Sequence, residues 1–293
     1  MGDHSGIQWT DATWNPTTGC TRVSAGCDHC YAFQLHDQRH AAYLAGRMPD
    51  APPQYHRPFS EVQLIPERLS LPLRWTKPRR IFVDSMADLF HSDVPTEFIA
   101  EVWAVMTLAP RHTFQVLTKR PQRMKRLLTN IAFWALVAEA ALRRRDQWPK
   151  GEKLPEIGID KPLPNVWLGT SVEDQAAAYR IDWLVRTPAA VRFLSCEPLI
   201  GPLDLTPWLW EAAGPAWAGH NPSPDLGWVI VGGESGPDYR PLDIDWARSL
   251  RDQCVAAGVP YFFKQHGGRT SKAGGRELDG RTWDEMPTLL QAA

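Results

Sequence analysis

Short apolar runs recur along the chain at Ile81-Phe82-Val83, Phe114-Gln115-Val116-Leu117, Val166-Trp167-Leu168, Val191-Arg192-Phe193-Leu194, Trp228-Val229-Ile230-Val231 and Tyr261-Phe262-Phe263. Each is rich in β-branched or aromatic residues and apolar nearly throughout. Strands covered on both faces read this way, so the runs predict buried parallel strands. Ile7-Gln8-Trp9 predicts a further strand at the start. Most of the intervening stretches carry a helical period instead. In 95–109, Phe98, Val102, Val105, Met106 and Ala109 share one face, with Pro95 suited to a helix start and Pro110 following its end. The pattern continues over 121–145 through Met124, Leu127, Leu128 and Ile131, and returns over 174–185 and 243–257. Asp243 is placed to cap the last of these.

Strand and helix alternating in this way predict an α/β fold, a partial (β/α) barrel of about six or seven parallel strands resembling a TIM barrel. A single barrel-like domain is expected over 1–266, with a tail over 267–293 that either wraps its outside or is partly mobile. Segments 146–164 and 206–227, rich in Pro, Gly and Trp, read as insertions.

The strand runs end in polar residues: Asp84, Ser85 and Asp88; Thr118, Lys119 and Arg120; Ser171 and Glu173; Cys196 and Glu197; Gly232, Gly233, Glu234 and Ser235; Lys264, Gln265 and His266. The C-terminal strand ends of a (β/α) barrel carry its active site, and a doubly wound sheet gathers ligands at the same edge. Any one of these residues is equally well an ordinary loop or cap residue. Six such ends together point to a binding site for a charged ligand. Asp84, Asp88, Glu173, Glu197 and Glu234 can accept from amino or hydroxyl groups, and Lys119, Arg120 and Lys264 can pair with a carboxylate. Gly232 and Gly233 let a ligand approach the backbone.

Five cysteines in 293 residues are too few and too clustered for a disulfide framework. Cys20, Cys27 and Cys30 form C-x6-C-x2-C in a loop with Gly and Pro, just before a helical stretch. Three thiolates suit a 4Fe–4S cluster with one iron left for another ligand. A zinc site is the competing reading, with His29 or His36 as its fourth ligand. Cys254 lies in a helical pattern and reads as a packed thiol. Cys196 ends a strand, where it is either a small buried residue or a hydrogen-atom donor to a substrate radical.

Several segments resemble an uncharacterised family of phage and bacterial proteins with a three-cysteine motif. They are 9–16, the loop ending Cys27-Asp28-His29-Cys30-Tyr31-Ala32, and the strand-end segments 85–90, 117–121, 169–173, 196–199 and 232–236. The Cys-Tyr-Ala ending and the Thr118-Lys119 pair also resemble radical S-adenosylmethionine enzymes, especially spore photoproduct lyase. That resemblance implies a (β/α) barrel whose three cysteines hold a 4Fe–4S cluster. Its open iron binds S-adenosyl-L-methionine, which is cleaved reductively to a 5′-deoxyadenosyl radical, and an electron donor is needed. The first cysteine gap is three residues wider than the superfamily's usual C-x3-C-x2-C. The Gly-Gly-Glu run at 232–234 also lies far from the cysteines, rather than soon after them.

Charge narrows the partners. A formal net charge of −1 gives no global attraction to nucleic acid or an anionic membrane. Local basic runs occur at 119–126 and at Arg143-Arg144-Arg145, near Trp134 and Trp148. They read as solvated helix faces or as a phosphate-binding patch, which would make a nucleic acid or nucleotide the substrate. A non-catalytic nucleic-acid-binding module stabilised by zinc or a cluster is the second reading. No apolar run is long enough for a membrane span and the first ten residues lack a secretion signal, so a cytoplasmic protein is expected.

Overall fold

The structure, a computed structural model, describes residues 4–148, 156–210, 225–270 and 272–288. The expected insertions at 146–164 and 206–227 and the end of the expected tail therefore lie partly outside the described residues. The fold is mixed α/β, with an all-parallel seven-stranded sheet, the partial (β/α) barrel predicted from the sequence. In chain order the elements are β1 (Ala12–Trp14), β2 (Thr17–Thr18), α1 (Tyr31–Leu44), β3 (Gln63–Leu64), α2 (Leu71–Arg74), β4 (Arg80–Val83), α3 (Thr96–Thr107), β5 (Thr113–Thr118), α4 (Pro121–Leu128), α5 (Ile131–Arg143), β6 (Val166–Ser171), α6 (Tyr179–Val185), β7 (Val191–Cys196), α7 (Thr206–Trp210), β8 (Trp228–Gly232), α8 (Ile244–Ala257), β9 (Tyr261–Gln265), β10 (Glu277–Leu278) and β11 (Arg281–Thr282). The main sheet runs β1-β4-β5-β6-β7-β8-β9. Its strands follow chain order, and parallel neighbours need crossover connections rather than hairpins.

The chain divides into two compact units. The first comprises Met1–Val23, Cys30–Leu168 and Arg186–Ala190. Here β1 pairs with β4 and β4 with β5. The apolar run at 7–9 forms no strand; β1 lies just after it, where the Asp11 N–H donates to the Arg80 carbonyl at 2.9 Å. Trp9 is instead buried against Phe82, so the run's apolar character serves packing rather than pairing. The helical pattern of 121–145 is split, because the Asn130 side chain accepts from the Ala132 N–H and starts α5 afresh. Phe90, Trp103, Phe133 and Trp134 make edge-to-face contacts that join α3 and α5.

The second unit comprises Ser24–His29, Gly169–Val185 and Val191–Ala293. Its strands β7, β8 and β9 pair in parallel, and β8 is buried along its whole length. The Asp243 carboxylate accepts from the Asp245 N–H to cap α8, and Gly258, with a φ of 68°, ends it. Asp174 caps a short 3-10 turn ahead of α6. Residues 283–284 lie along β9: the Phe263 N–H donates to the Trp283 carbonyl at 2.8 Å, and Phe262 bridges Asp284. Among the described residues no helix is long and apolar enough to cross a membrane.

Candidate functional site

In the first unit the polar ends of β4 and β5 meet the loop that carries Cys20. Asp84 follows β4 with a φ of 56°, a left-handed conformation that costs a non-glycine residue energy. Its carboxyl is buried and receives the Thr17 N–H at 3.1 Å and the Thr17 hydroxyl at 2.9 Å. Burial pushes the carboxyl up to about 8, against the pull of those two bonds. Next to it, the Ser85 hydroxyl and the Met86 N–H both donate to the Asn15 side chain.

Asp88 gathers the end of β5. It accepts from the Thr118 hydroxyl at 2.7 Å, the Lys119 N–H at 3.1 Å and the Arg120 guanidinium at 2.9 Å. Arg120 continues to the loop, donating to the Thr21 carbonyl and hydroxyl at 3.0 Å each and to Cys20 Sγ at 3.5 Å. Burial pulls Arg120 down, but Asp88 and Cys20 more than offset it and hold the guanidinium above its ordinary value. Gly19 has a φ of 96° and sets the approach to Cys20, whose N–H donates to the Phe59 carbonyl at 2.9 Å.

The second unit holds the segment with Cys27. Glu234, after β8, accepts from Arg240 through its backbone N–H (2.8 Å), Nε (3.0 Å) and Nη2 (2.6 Å). It also bonds His29 Nδ1 at 2.9 Å. Burial works against the charged carboxylate, yet these partners hold it below its usual range. Arg240 reaches the Ala25 carbonyl at 2.9 Å and stands 3.6 Å from Asp28. Glu173 forms a buried ion pair with Arg180 at 2.8 Å, and Arg180 also donates to the Ser171 carbonyl. A Cβ on Gly26 would come within 3.0 Å of the Glu173 carboxylate, so this segment packs closely on it. Lys264 pairs with Glu197, both partly exposed. Gly233 is hemmed in by the His266 carbonyl, and Gln265 donates to the Gly233 carbonyl and the Ser235 hydroxyl.

Cys20, Cys27 and Cys30 are all half-buried, and none of the five cysteines is in a disulfide. Among the described residues no three His, Cys, Asp or Glu side chains converge closely enough to hold one metal ion. A four-iron cluster makes a different demand, since each thiolate takes its own iron. The donor set fits such a cluster by its chemistry. Cys20 has a cationic donor on its sulfur, Cys27 ends a 3-10 turn, and Cys30 is the N-cap of α1, where the positive helix end favours an anion.

His36 packs among aromatic rings. Its ring is buried against Tyr55 and Phe59, with Nε2 on the Arg57 carbonyl. His29 offers only Nε2, because Nδ1 faces Glu234. The Cys196 thiol is completely buried and burial pushes it far up; that environment matches the small buried residue of the two sequence readings. Cys254 is buried in α8, its thiol pushed up to about 12. Lys119 is half-buried beside Asp88. Much of the basic runs is engaged within the chain: Arg143 and Arg144 pair with Glu101, and Arg123 donates to the carbonyls of His91 and Val94.

Sequence reasoning missed Thr17, Thr21, Arg180 and Arg240. Arg240 offered one faint signal, a lone arginine six residues after Glu234 in a Gly-Pro loop. Arg180 lies on α6, whose apolar period gives no sign of a buried cation.

The parallel α/β fold defines the class of partial (β/α) barrels, an architecture that fold alone does not tie to one function. More narrowly, the chain belongs to the family described as "Protein of unknown function (DUF5131)", which matches residues 4–287. No curated protein and no solved structure matches it.

Proposed function

We propose that this chain is an iron–sulfur enzyme of radical S-adenosylmethionine type that acts on a nucleotide or nucleic acid. Cys20, Cys27 and Cys30 hold the 4Fe–4S cluster. The observation that carries the reading is the Cys20 thiol with a cationic donor, Arg120, itself locked by Asp88. When bound, the reduced cluster supplies the electron that breaks a carbon–sulfur bond of S-adenosylmethionine. An external one-electron donor is therefore a required partner.

The remaining residues bind and orient. Lys264 and Glu197 form a partly exposed ion pair, and a zwitterionic amino acid can replace each partner in turn. The methionyl ammonium would take Glu197 and the carboxylate Lys264, each by a charge-assisted bond. A Cβ on Gly232 would sit 3.4 Å from the Glu197 carboxylate, so the glycine keeps that approach clear. Asp88, Glu173 and Glu234 are each paired with an arginine of this chain and more buried than Glu197, so they are less open to a ligand.

Anaerobic purification with iron, sulfide and zinc analysis tests the reading. A brown protein with about four irons per chain is expected. Colourless protein with a single zinc would overturn it in favour of a zinc-stabilised binding module. Reductant and S-adenosylmethionine should then give 5′-deoxyadenosine, and its absence from iron-loaded protein would leave an iron–sulfur protein of another kind.

A further inference from the structure

We infer that Arg120 is a positioning residue that raises the reduction potential at Cys20 by hydrogen-bonding its sulfur. The inference rests on the cluster assignment above and goes further, giving one side chain a definite electronic task.

The geometry is that of a fixed donor. Arg120 touches Cys20 Sγ at 3.5 Å with Nη1, and the same nitrogen is held by Asp88 Oδ2 at 2.9 Å. Its other terminal nitrogen is held twice by Thr21, the residue after Cys20. The Thr21 hydroxyl is in turn 2.7 Å from His91 Nε2. Asp88 is itself fixed by Thr118 and the backbone of Lys119. A guanidinium restrained on both forks cannot swing away to a passing phosphate.

One electron from an external one-electron donor raises the negative charge shared by the ligand sulfurs. No proton need move. A cation hydrogen-bonded to one of those sulfurs stabilises the reduced form more than the oxidised one, and hydrogen bonds to sulfur are among the factors that set such potentials. Asp88 spreads part of the charge but keeps the donor in place.

The test compares wild type with Arg120→Gln, Arg120→Lys and Arg120→Met, all purified anaerobically. Iron per chain is measured first, then the potential by an optical and EPR-monitored dithionite titration. Arg120→Gln is expected to keep its iron and to be reduced about tenfold less favourably, which for one electron is about 59 mV more negative. Arg120→Lys, which keeps the charge, should recover more than half of that shift, and Arg120→Met, neutral and without a donor, should fall at least as far as Arg120→Gln. Iron-loaded Arg120→Gln with the wild-type potential would overturn the inference, as would Arg120→Lys behaving like the glutamine. If Arg120→Gln takes up no iron, the other two variants decide: wild-type potentials in both overturn the inference, and a fall in Arg120→Met supports it. Iron-free wild type would overturn the cluster assignment and this inference with it; iron-loaded wild type with unshifted variants overturns this inference alone.

Discussion

Asp84 shows how one residue's surroundings change its chemistry. As a carboxylate at a strand end it read as a ligand-binding group, but the structure buries it on Thr17 and pushes it up to about 8. The folded chain therefore keeps a proton that the unfolded chain has lost between about pH 4 and about pH 8. The stability this contributes is complete below the unfolded value and is lost as pH rises through the folded one. Asp84→Asn has no charge to bury, and its amide can accept from the Thr17 N–H and donate to the hydroxyl. The variant should match wild type near about pH 5 and exceed it near about pH 9, by up to a few kcal/mol. Urea denaturation at the two pH values checks this, and a variant less stable at the higher pH would show that the charged form is the one the fold stabilises.

At the scale of elements, the Ser24–His29 segment depends on residues far away in sequence. Glu234 and His29 are 205 positions apart, and Arg240 ties both Glu234 and the Ala25 carbonyl. Hydrogen bonds to a charged group contribute about 1.5–3 kcal/mol each, so removing the charge should loosen this short segment well before the sheet. Glu234→Gln is expected to speed hydrogen exchange at 25–29 by about tenfold or more, with β8 and β9 unchanged. Equal exchange in the two proteins would mean that packing alone holds the segment. The strands and helix caps behind this arrangement were legible because they follow from local pattern: β8 is apolar throughout, and Asp243 precedes an amphipathic helix. The split between α4 and α5 was less visible, since an apolar period runs through it and only Asn130 marks the break.

For the whole molecule, charge and contacts limit what it can hold. The net charge is −1, and Arg120, Arg123, Arg143 and Arg144 are engaged within the chain. Sequence-independent duplex DNA should therefore bind no tighter than about 10⁻⁶ M at physiological salt, measured by mobility shift. Tight binding that falls steeply with salt would show that α4 meets a phosphate backbone after all. The amino-acid sequence by itself determined the alternation of strands and helices, the cysteine loop and the polar strand ends, because each is written in residues close together along the chain. Only the tertiary structure decided which charges are already matched, that Asp84 and Cys196 are buried, and that Arg120 stands on Cys20. Those facts depend on contacts between residues as many as 215 positions apart, and desolvation and pairing there set the energy of every charged group.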